Sequence, residues 1–344
     1  MKWIYDLAYG RLKEEIIALG LKTFSVDQVF QWLYEKNEQD INAWSNISKT
    51  NRAILSQNFD TTLDNITGFE EDSEGTQKFL FELKDRNQVE SVLIKEKDHY
   101  TFCISTQVGC ALKCQFCATG RIGFRRNLTP GEILSQVLSL KKELPGYTGK
   151  LNIVFMGMGE PLLNYENLKQ ALEIISNEKG IGISPRNMTL STAGILENLR
   201  QFETDFPRVK ISFSLNAPDA ALRETLMPIS KKEKLEDILD YFRHNASTRK
   251  HRITFEYVLL KGVNDSRDDA QKIVKLLRGI PCKINLIPYN NNKQSRFQTP
   301  DRTEVEAFGD LLHSKGFTVI VRWSKGRDIK SACGQLAARR PGEE

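Results

Sequence analysis

Apolar positions along this chain follow two different periods, and the change between them divides it. Up to about residue 60 they recur three and four apart: Leu12, Ile16, Ile17 and Leu19, then Val26, Val29, Phe30 and Leu33, then Ile54 and Leu55. Such spacing puts apolar side chains on one face of successive helices. The second helix is expected to open at Ser25, a capping residue type. Residues 61–75 gather Asp64, Glu70, Glu71, Asp72 and Glu74 with Gly68 and Gly75, and read as a connector or an exposed strand. Three β-rich runs follow, at 78–83, 89–94 and 100–105, expected to pair as a short meander. The pattern divides the chain into a small helical unit with its linker (1–75) and a larger core (76–344).

In the core, strand-like and helix-like patterns alternate. Strands are expected at 102–106, 151–156, 188–191, 209–215, 253–259, 283–287 and 318–322, and helices at 130–142, 165–177, 195–202, 235–245, 267–277 and 303–314. This is the signature of an α/β protein with a parallel sheet covered by helices. About six β-α units are too few for a closed eight-fold barrel, so a partial, splayed barrel is expected. Chemistry in such folds gathers at the C-terminal ends of the strands. Here those ends carry a cysteine loop, then Gly157-Met158-Gly159-Glu160-Pro161, Ser191-Thr192-Ala193-Gly194, Ser214-Leu215-Asn216 and Pro288-Tyr289-Asn290.

Composition narrows the class. Hydrophobic content of 40% and charged content of 27% are ordinary for a globular protein. The six cysteines are unevenly spaced, unlike a secreted disulfide framework. No segment reads as a signal peptide or a membrane span, and a reducing cytoplasm is the expected location. Three of the cysteines, Cys110, Cys114 and Cys117, form a C-x3-C-x2-C run. A structural zinc takes four ligands, and Cys103 would be the local fourth. A [4Fe–4S] cluster held by three cysteines keeps one iron open to a small molecule.

Charge adds a partner class. Residues 1–75 carry 7 basic and 13 acidic side chains, so the rest of a chain of net +5 is markedly basic. Positive charge concentrates at Lys113, Arg121, Arg125 and Arg126, and again at Arg322, Lys325, Arg327, Lys330, Arg339 and Arg340. Cations around reactive thiols suit a polyanion such as RNA, with Arg121, Arg125, Arg126, Arg322, Lys325 and Arg327 as phosphate-contact candidates. The first 60 residues are nearly balanced, with 7 basic and 8 acidic side chains, so shape is the expected basis of any RNA recognition there.

The motifs at 109–120 (GCALKCQFCATG), 156–163 (MGMGEPLL), 191–194 (STAG), 286–290 (LIPYN) and 328–336 (DIKSACGQL) resemble those of the RlmN/Cfr family of radical S-adenosylmethionine (SAM) RNA methyltransferases over nearly the full length. The resemblance implies a partial (β/α)6 radical SAM barrel with a small N-terminal helical accessory domain. It implies one [4Fe–4S] cluster on Cys110, Cys114 and Cys117, and two SAM molecules consumed per methylation. The implied substrates are 23S rRNA, at one adenosine of the peptidyl-transferase region, and tRNA, at the adenosine just after the anticodon. A flavodoxin-like low-potential electron donor and a monomeric state also follow from it. Pro161 after Gly-Glu favours the C2-methylating members; a C8-methylating enzyme, another radical SAM enzyme with a non-RNA substrate, and a zinc-stabilised RNA-binding protein are the alternatives.

Residue roles come from the same resemblance. Cys333 would carry the methyl group, its thiol pKa lowered by nearby cations. Cys103 would resolve the adduct, leaving a disulfide; read alone, it is a buried strand cysteine. Glu90 would be the base, although strand alternation alone makes it an exposed residue. Gly159 and Glu160 would receive the amino end of SAM, and Ser191, Ser214, Leu215, Asn216 and Asn290 would line the rest of its site. Many relatives have His where this chain has Asn216, so a titrating role there is lost. Cys282 reads as structural.

Overall fold

The computed structural model describes residues 1–291, 295–326 and 328–337. Ten strands form one sheet: β1 (Asn65–Glu71), β2 (Gln77–Glu82), β3 (Gln88–Lys95), β4 (His99–Cys103), β5 (Lys150–Phe155), β6 (Met188–Thr192), β7 (Lys210–Ser214), β8 (Ile253–Leu259), β9 (Cys282–Pro288) and β10 (Thr318–Val321). Their spatial order is their sequence order. Strands β1 to β4 pair antiparallel, and β4 to β10 are parallel. Strand β4 thus ends the meander and starts the barrel, serving both segments that the pattern had suggested there. The 61–75 stretch contains the exposed edge strand β1.

Every parallel crossover carries a helix: Pro130–Lys142, Tyr165–Ser176, Leu196–Asp205, Leu235–His244, Arg267–Leu276 and Arg302–Ser314. The patterning also missed a short helix, Ala220–Leu226. The helix Pro130–Lys142 is buried almost all round. It lies between the sheet and the N-terminal unit, and its buried polar residues are paired: Ser135 Oγ accepts from Asp64 N (2.8 Å), and Gln136 Nε2 donates to Ser105 O (3.1 Å). Its start is fixed by Pro130 in the first turn and by reciprocal capping between Thr129 and Glu132.

The N-terminal unit contains helices Tyr9–Ala18, Phe24–Phe30 and Lys49–Asn58. Ser25 is buried inside the second helix and does not cap it. A short parallel pairing of Lys2–Trp3 with Phe59–Asp60 closes this unit on itself. It docks on the core through polar ties: Gly131 N donates to Asp6 Oδ1 (3.0 Å), Asn37 Nδ2 to Leu138 O (2.8 Å) and Gln170 Nε2 to Asp6 O (2.8 Å). Among the described residues no helix is long and apolar enough to cross a membrane.

Candidate active site

The cysteine run lies in a loop whose base is pinched shut. Gln107–Gly109 pairs antiparallel with Phe124–Asn127, and Cys110 N donates to Gly123 O (3.0 Å). Gly109 has φ +75°, and a Cβ there would lie 1.7 Å from Gly123 O, so only glycine permits this closure. Cys110 packs with Leu112, Phe116, Ala193, Ala217, Leu226, Met227, Leu260, Tyr289 and Phe297 in a second apolar cluster, against which Cys114 and Cys117 also rest. Burial pushes the Cys110 thiol up to about 12 and raises Cys114 well above its ordinary value; Cys117 adds to both rises, and Cys110 to that of Cys114.

The donor set suits a [4Fe–4S] cluster. Among the described residues, no three His, Cys, Asp or Glu side chains converge tightly enough to hold one metal ion. Three cysteines on separate iron corners of a cubane have no need to converge in that way. Cys103 is buried at the end of β4, and burial, with Cys333 adding to it and Arg322 opposing it, pushes its thiol up to about 12.

Glu160 binds two strand ends together. Its Oε1 accepts from Leu162 N (3.1 Å) and Thr192 Oγ1 (2.7 Å), and its Oε2 accepts from Ala193 N (2.8 Å). A carboxylate has about four acceptor positions, so one on Oε2 is left over. Burial raises this acid to about 7, against the pull of those hydrogen bonds and of Arg223. Gly159, at φ +106°, lets the turn sit on Gln107, where a Cβ would come within 2.6 Å. Gln107 Oε1 in turn accepts from Glu160 N (2.8 Å).

Arg223, which sequence reasoning passed over, organises the next two strand ends. It is fully buried and donates to Leu215 O (3.1 Å), Ala193 O (2.8 Å) and Ser214 O (2.9 Å). The available signal was weak: an arginine between Leu222 and Leu226 on a short helix. Ser191 and Ser214 are half-buried, and Leu215 is wholly buried. Asn216 has φ +56°; its Oδ1 accepts from Val258 N (2.9 Å), and its Nδ2 points at Met227 Sδ (3.4 Å). Its side chain is thus committed to the fold. Asn tolerates this left-handed backbone well.

The C-terminal segment straps across the barrel mouth. Ala118 N donates to Gly334 O (2.8 Å), Thr119 Oγ1 to Leu336 O (2.6 Å), and Asn290 Nδ2 to Cys333 O (3.2 Å). On the far side Ala337 N donates to Glu90 Oε2 (2.8 Å), and Gly326 N donates to Asp72 Oδ2 (2.8 Å). The strap therefore joins the cysteine loop, β9 and the meander. Asn290 keeps a buried Oδ1 without a partner, as does the neighbouring Tyr289 hydroxyl. These orphaned polar atoms fit a site built for a polar ligand.

Three expectations need correction. Glu90 is buried, not exposed, because β3, unlike the edge strand β1, is covered on both faces around it. The Cys333 thiol is raised, not lowered. Cys333 is exposed, yet the protein around its thiol desolvates it enough to outweigh the pull of Arg322, and Glu256 and Cys117 add to the rise. Among the phosphate candidates, Arg126 is held by Glu132 (2.7 and 2.8 Å) and Asp85 (2.7 Å), and Lys325 by Lys95 O and Glu96. Arg125 donates to Asn87 and Arg121 to Gln115 O. Arg322 lies at the end of β10, where its N donates to Leu286 O. Arg327, Arg339 and Arg340 lie outside the described residues. All six cysteines are thiols.

A fold of this kind, with a three-cysteine loop at its mouth, defines a radical SAM enzyme, and residues 104–277 match the Radical SAM superfamily model. Residues 2–60 match the ribosomal RNA large subunit methyltransferase N-terminal domain. The chain is 44% identical to the dual-specificity RNA methyltransferase RlmN of Desulfosudis oleivorans, over 97% of this chain and 90% of that protein. It is 44% identical to that of Solidesulfovibrio magneticus, over 99% and 97% respectively. A crystal structure of a radical SAM methyltransferase from Sphaerobacter thermophilus superposes with TM-score 0.94 at 37% identity, covering 98% of this chain and 100% of that one. The chain belongs to the RlmN family of radical SAM methyltransferases. A [4Fe–4S] cluster and SAM are the cofactors of that superfamily.

Proposed function

We propose that this protein methylates C2 of adenosine in 23S rRNA and in tRNA, through a methyl group carried on Cys333. The observation that supports this most directly is the strap: it holds Cys333 beside the cysteine loop and in electrostatic contact with Cys103, while its end is hydrogen-bonded to Glu90. The same strap would have no reason to join those three places in an enzyme that used no thiol pair.

Cys110, Cys114 and Cys117 would hold the cluster, which when bound supplies the electron that splits SAM into its radical form. Glu160, through its remaining acceptor position, and the backbone at Gly159 would receive the SAM ammonium. Ser191, Ser214 and Asn290 would take polar atoms of the same molecule, and Leu215 and Asn216 would contribute backbone to the wall. Adenine C2 lies between two ring nitrogens and is a poor nucleophile, so direct displacement fails and a carried carbon is required. The Cys333 thiolate takes a methyl group from one SAM, and a second SAM is consumed in activating it. Once carbon is bonded to C2, the adduct must give up one electron, which the cluster would take back, and Glu90 takes the C2 proton. The Cys103 thiol, losing its proton, then attacks the Cys333 sulfur; the bond from that sulfur to carbon breaks, the carbon takes up a proton to become the methyl group, and a disulfide forms.

The target base must be unstacked to be reached. Phe124 and Trp323 expose ring surface on the segments that carry Arg125 and Arg322. Residues 1–75 would act as the accessory RNA-binding module, recognising shape. We place the protein in the cytoplasm as a monomer, fed by a flavodoxin-like donor, because the cluster and the thiol pair both need a reducing supply. Mass spectrometry of RNA treated with anaerobically reconstituted enzyme and isotopically labelled SAM tests the assignment. The expected label is at adenine C2; label at C8, or none, overturns it.

A further inference from the structure

The reading of Glu90 as the base leaves open where its proton goes, and a row of three side chains across the meander supplies an answer. Glu70 of β1 lies directly opposite Lys78 of β2. Glu90 of β3 lies opposite Leu80, two residues further along the same strand. Side chains alternate along a strand, so Glu70, Lys78 and Glu90 share one face, the last two as a diagonal pair. The ammonium sits between the carboxylates: Lys78 Nζ is 3.3 Å from Glu90 Oε1 and 3.4 Å from Glu70 Oε2. Side-chain exposure rises outward from 9% at Glu90 and 10% at Lys78 to 54% at Glu70. The row thus runs from the interior to solvent.

We propose that Lys78 is the positioning residue of Glu90 and the relay through which its proton leaves to Glu70. The proposal rests on the reading of Glu90 as the base. Among the described residues, the charged or polar groups facing its carboxylate are Lys78 from β2, Glu70 beyond it on β1, and the Ala337 amide from the strap. Burial favours the neutral acid, which cannot act as a base; Lys78 is the cation that opposes this. After each turnover the proton must leave a pocket that water does not enter freely. Glu90 gives its proton to Lys78 Nζ as Lys78 gives one of its own to Glu70, which releases it to water. One proton moves outward, no electron is transferred, and Lys78 is charged before and after.

The test uses the reconstituted full-length enzyme and follows two steps separately across pH: methylation of Cys333, by protein mass spectrometry, and formation of 2-methyladenosine in RNA. Lys78→Met is expected to leave Cys333 methylation within about twofold and to slow RNA methylation by about 100-fold, the lower range for loss of acid–base assistance. Its acidic limb should move to higher pH, because Glu90 without its cation stays neutral longer. Lys78→Arg keeps the charge but does not give up a proton. It should restore the acidic limb and leave the RNA step slow. Glu70→Gln should slow the RNA step without moving the limb. Unchanged RNA methylation and pH profile in Lys78→Met, with Glu90→Gln inactive, overturns the proposal and leaves the base assignment standing. Product formation at the native rate by Glu90→Gln overturns that assignment and the proposal with it. Should Lys78→Met fail to fold, Lys78→Arg decides: a native RNA rate there excludes the relay.

Discussion

Two buried carboxylates at the mouth of this barrel have surroundings that differ in kind. Glu160, on the β5 side, accepts three hydrogen bonds, and the cation acting on it, Arg223, is itself fully buried. Glu90, on the meander side, meets a lysine with one oxygen and the amide of the strap with the other, and a second carboxylate stands outside that lysine. The first is a tie between strand ends, holding a turn at fixed geometry. The second sits between solvent and the segment that bears the exposed thiol. Burial alone, which the two share, therefore does not mark a catalytic acid or base; the route by which a proton could arrive or depart does.

Replacing both side chains breaks the comparison most severely. Glu160→Ala should strand the Thr192 hydroxyl and the Ala193 and Leu162 amides, a loss of about 3 kcal/mol or more, seen as a lowered melting temperature and loss of SAM binding. Glu90→Gln should leave stability nearly native and Cys333 methylation intact, while RNA methylation falls by roughly 10²- to 10⁴-fold. If Glu90→Gln is instead the less stable protein, the division of roles is wrong.

A pH titration of the apo-protein sharpens the same contrast. The folded pKa of Glu160, about 7, exceeds its ordinary value, so the folded state holds the proton more tightly. Its contribution to stability is then greatest at low pH and declines as pH rises towards about 7, by on the order of 2–3 kcal/mol. Glu160→Gln should flatten that decline in denaturant midpoints measured from pH 4.5 to 7.5; an unchanged slope would show that the acid is ionised throughout. The smallest effect is expected at the strap. Thr119→Val removes the hydrogen bond to Leu336 O, at a cost of about 1 kcal/mol. It should loosen Cys333 enough to raise its labelling rate by iodoacetamide, with Glu160 contacts and SAM binding untouched.

Most local elements of this fold were legible to within a residue or two, although the strand expected at 102–106 is His99–Cys103, the helix expected at 195–202 runs on to Asp205, and the short helix Ala220–Leu226 was missed. The helix Pro130–Lys142 carries its proline, capping box and apolar run in the sequence itself, and its bounds match expectation. The seven parallel strands were likewise visible as apolar runs between turn residues. Less legible were partners distant in sequence. Arg126 looked like a free cation until Asp85 and Glu132 were found on either side of it. Glu90 looked exposed because alternation assumes that one face of a strand meets water, whereas here both are covered. Lys78 gave no signal, and Arg223 only the weak one of lying between Leu222 and Leu226: nothing in a single lysine or arginine says that it will be buried.

The sequence by itself determined where the strands and helices begin, which turns require glycine, and that three thiols crowd one loop, since all of these depend on neighbours a few residues away. Tertiary structure alone decided ionisation and pairing: that Cys333 is harder to ionise than its cationic flanks suggest, that Arg126 is held between Glu132 and Asp85, and that Glu90 stands in line with Lys78 and Glu70. Charge energies depend on distance and on exclusion of water, and folding sets both by bringing together residues far apart in sequence, such as Ala337 and Glu90, 247 positions apart.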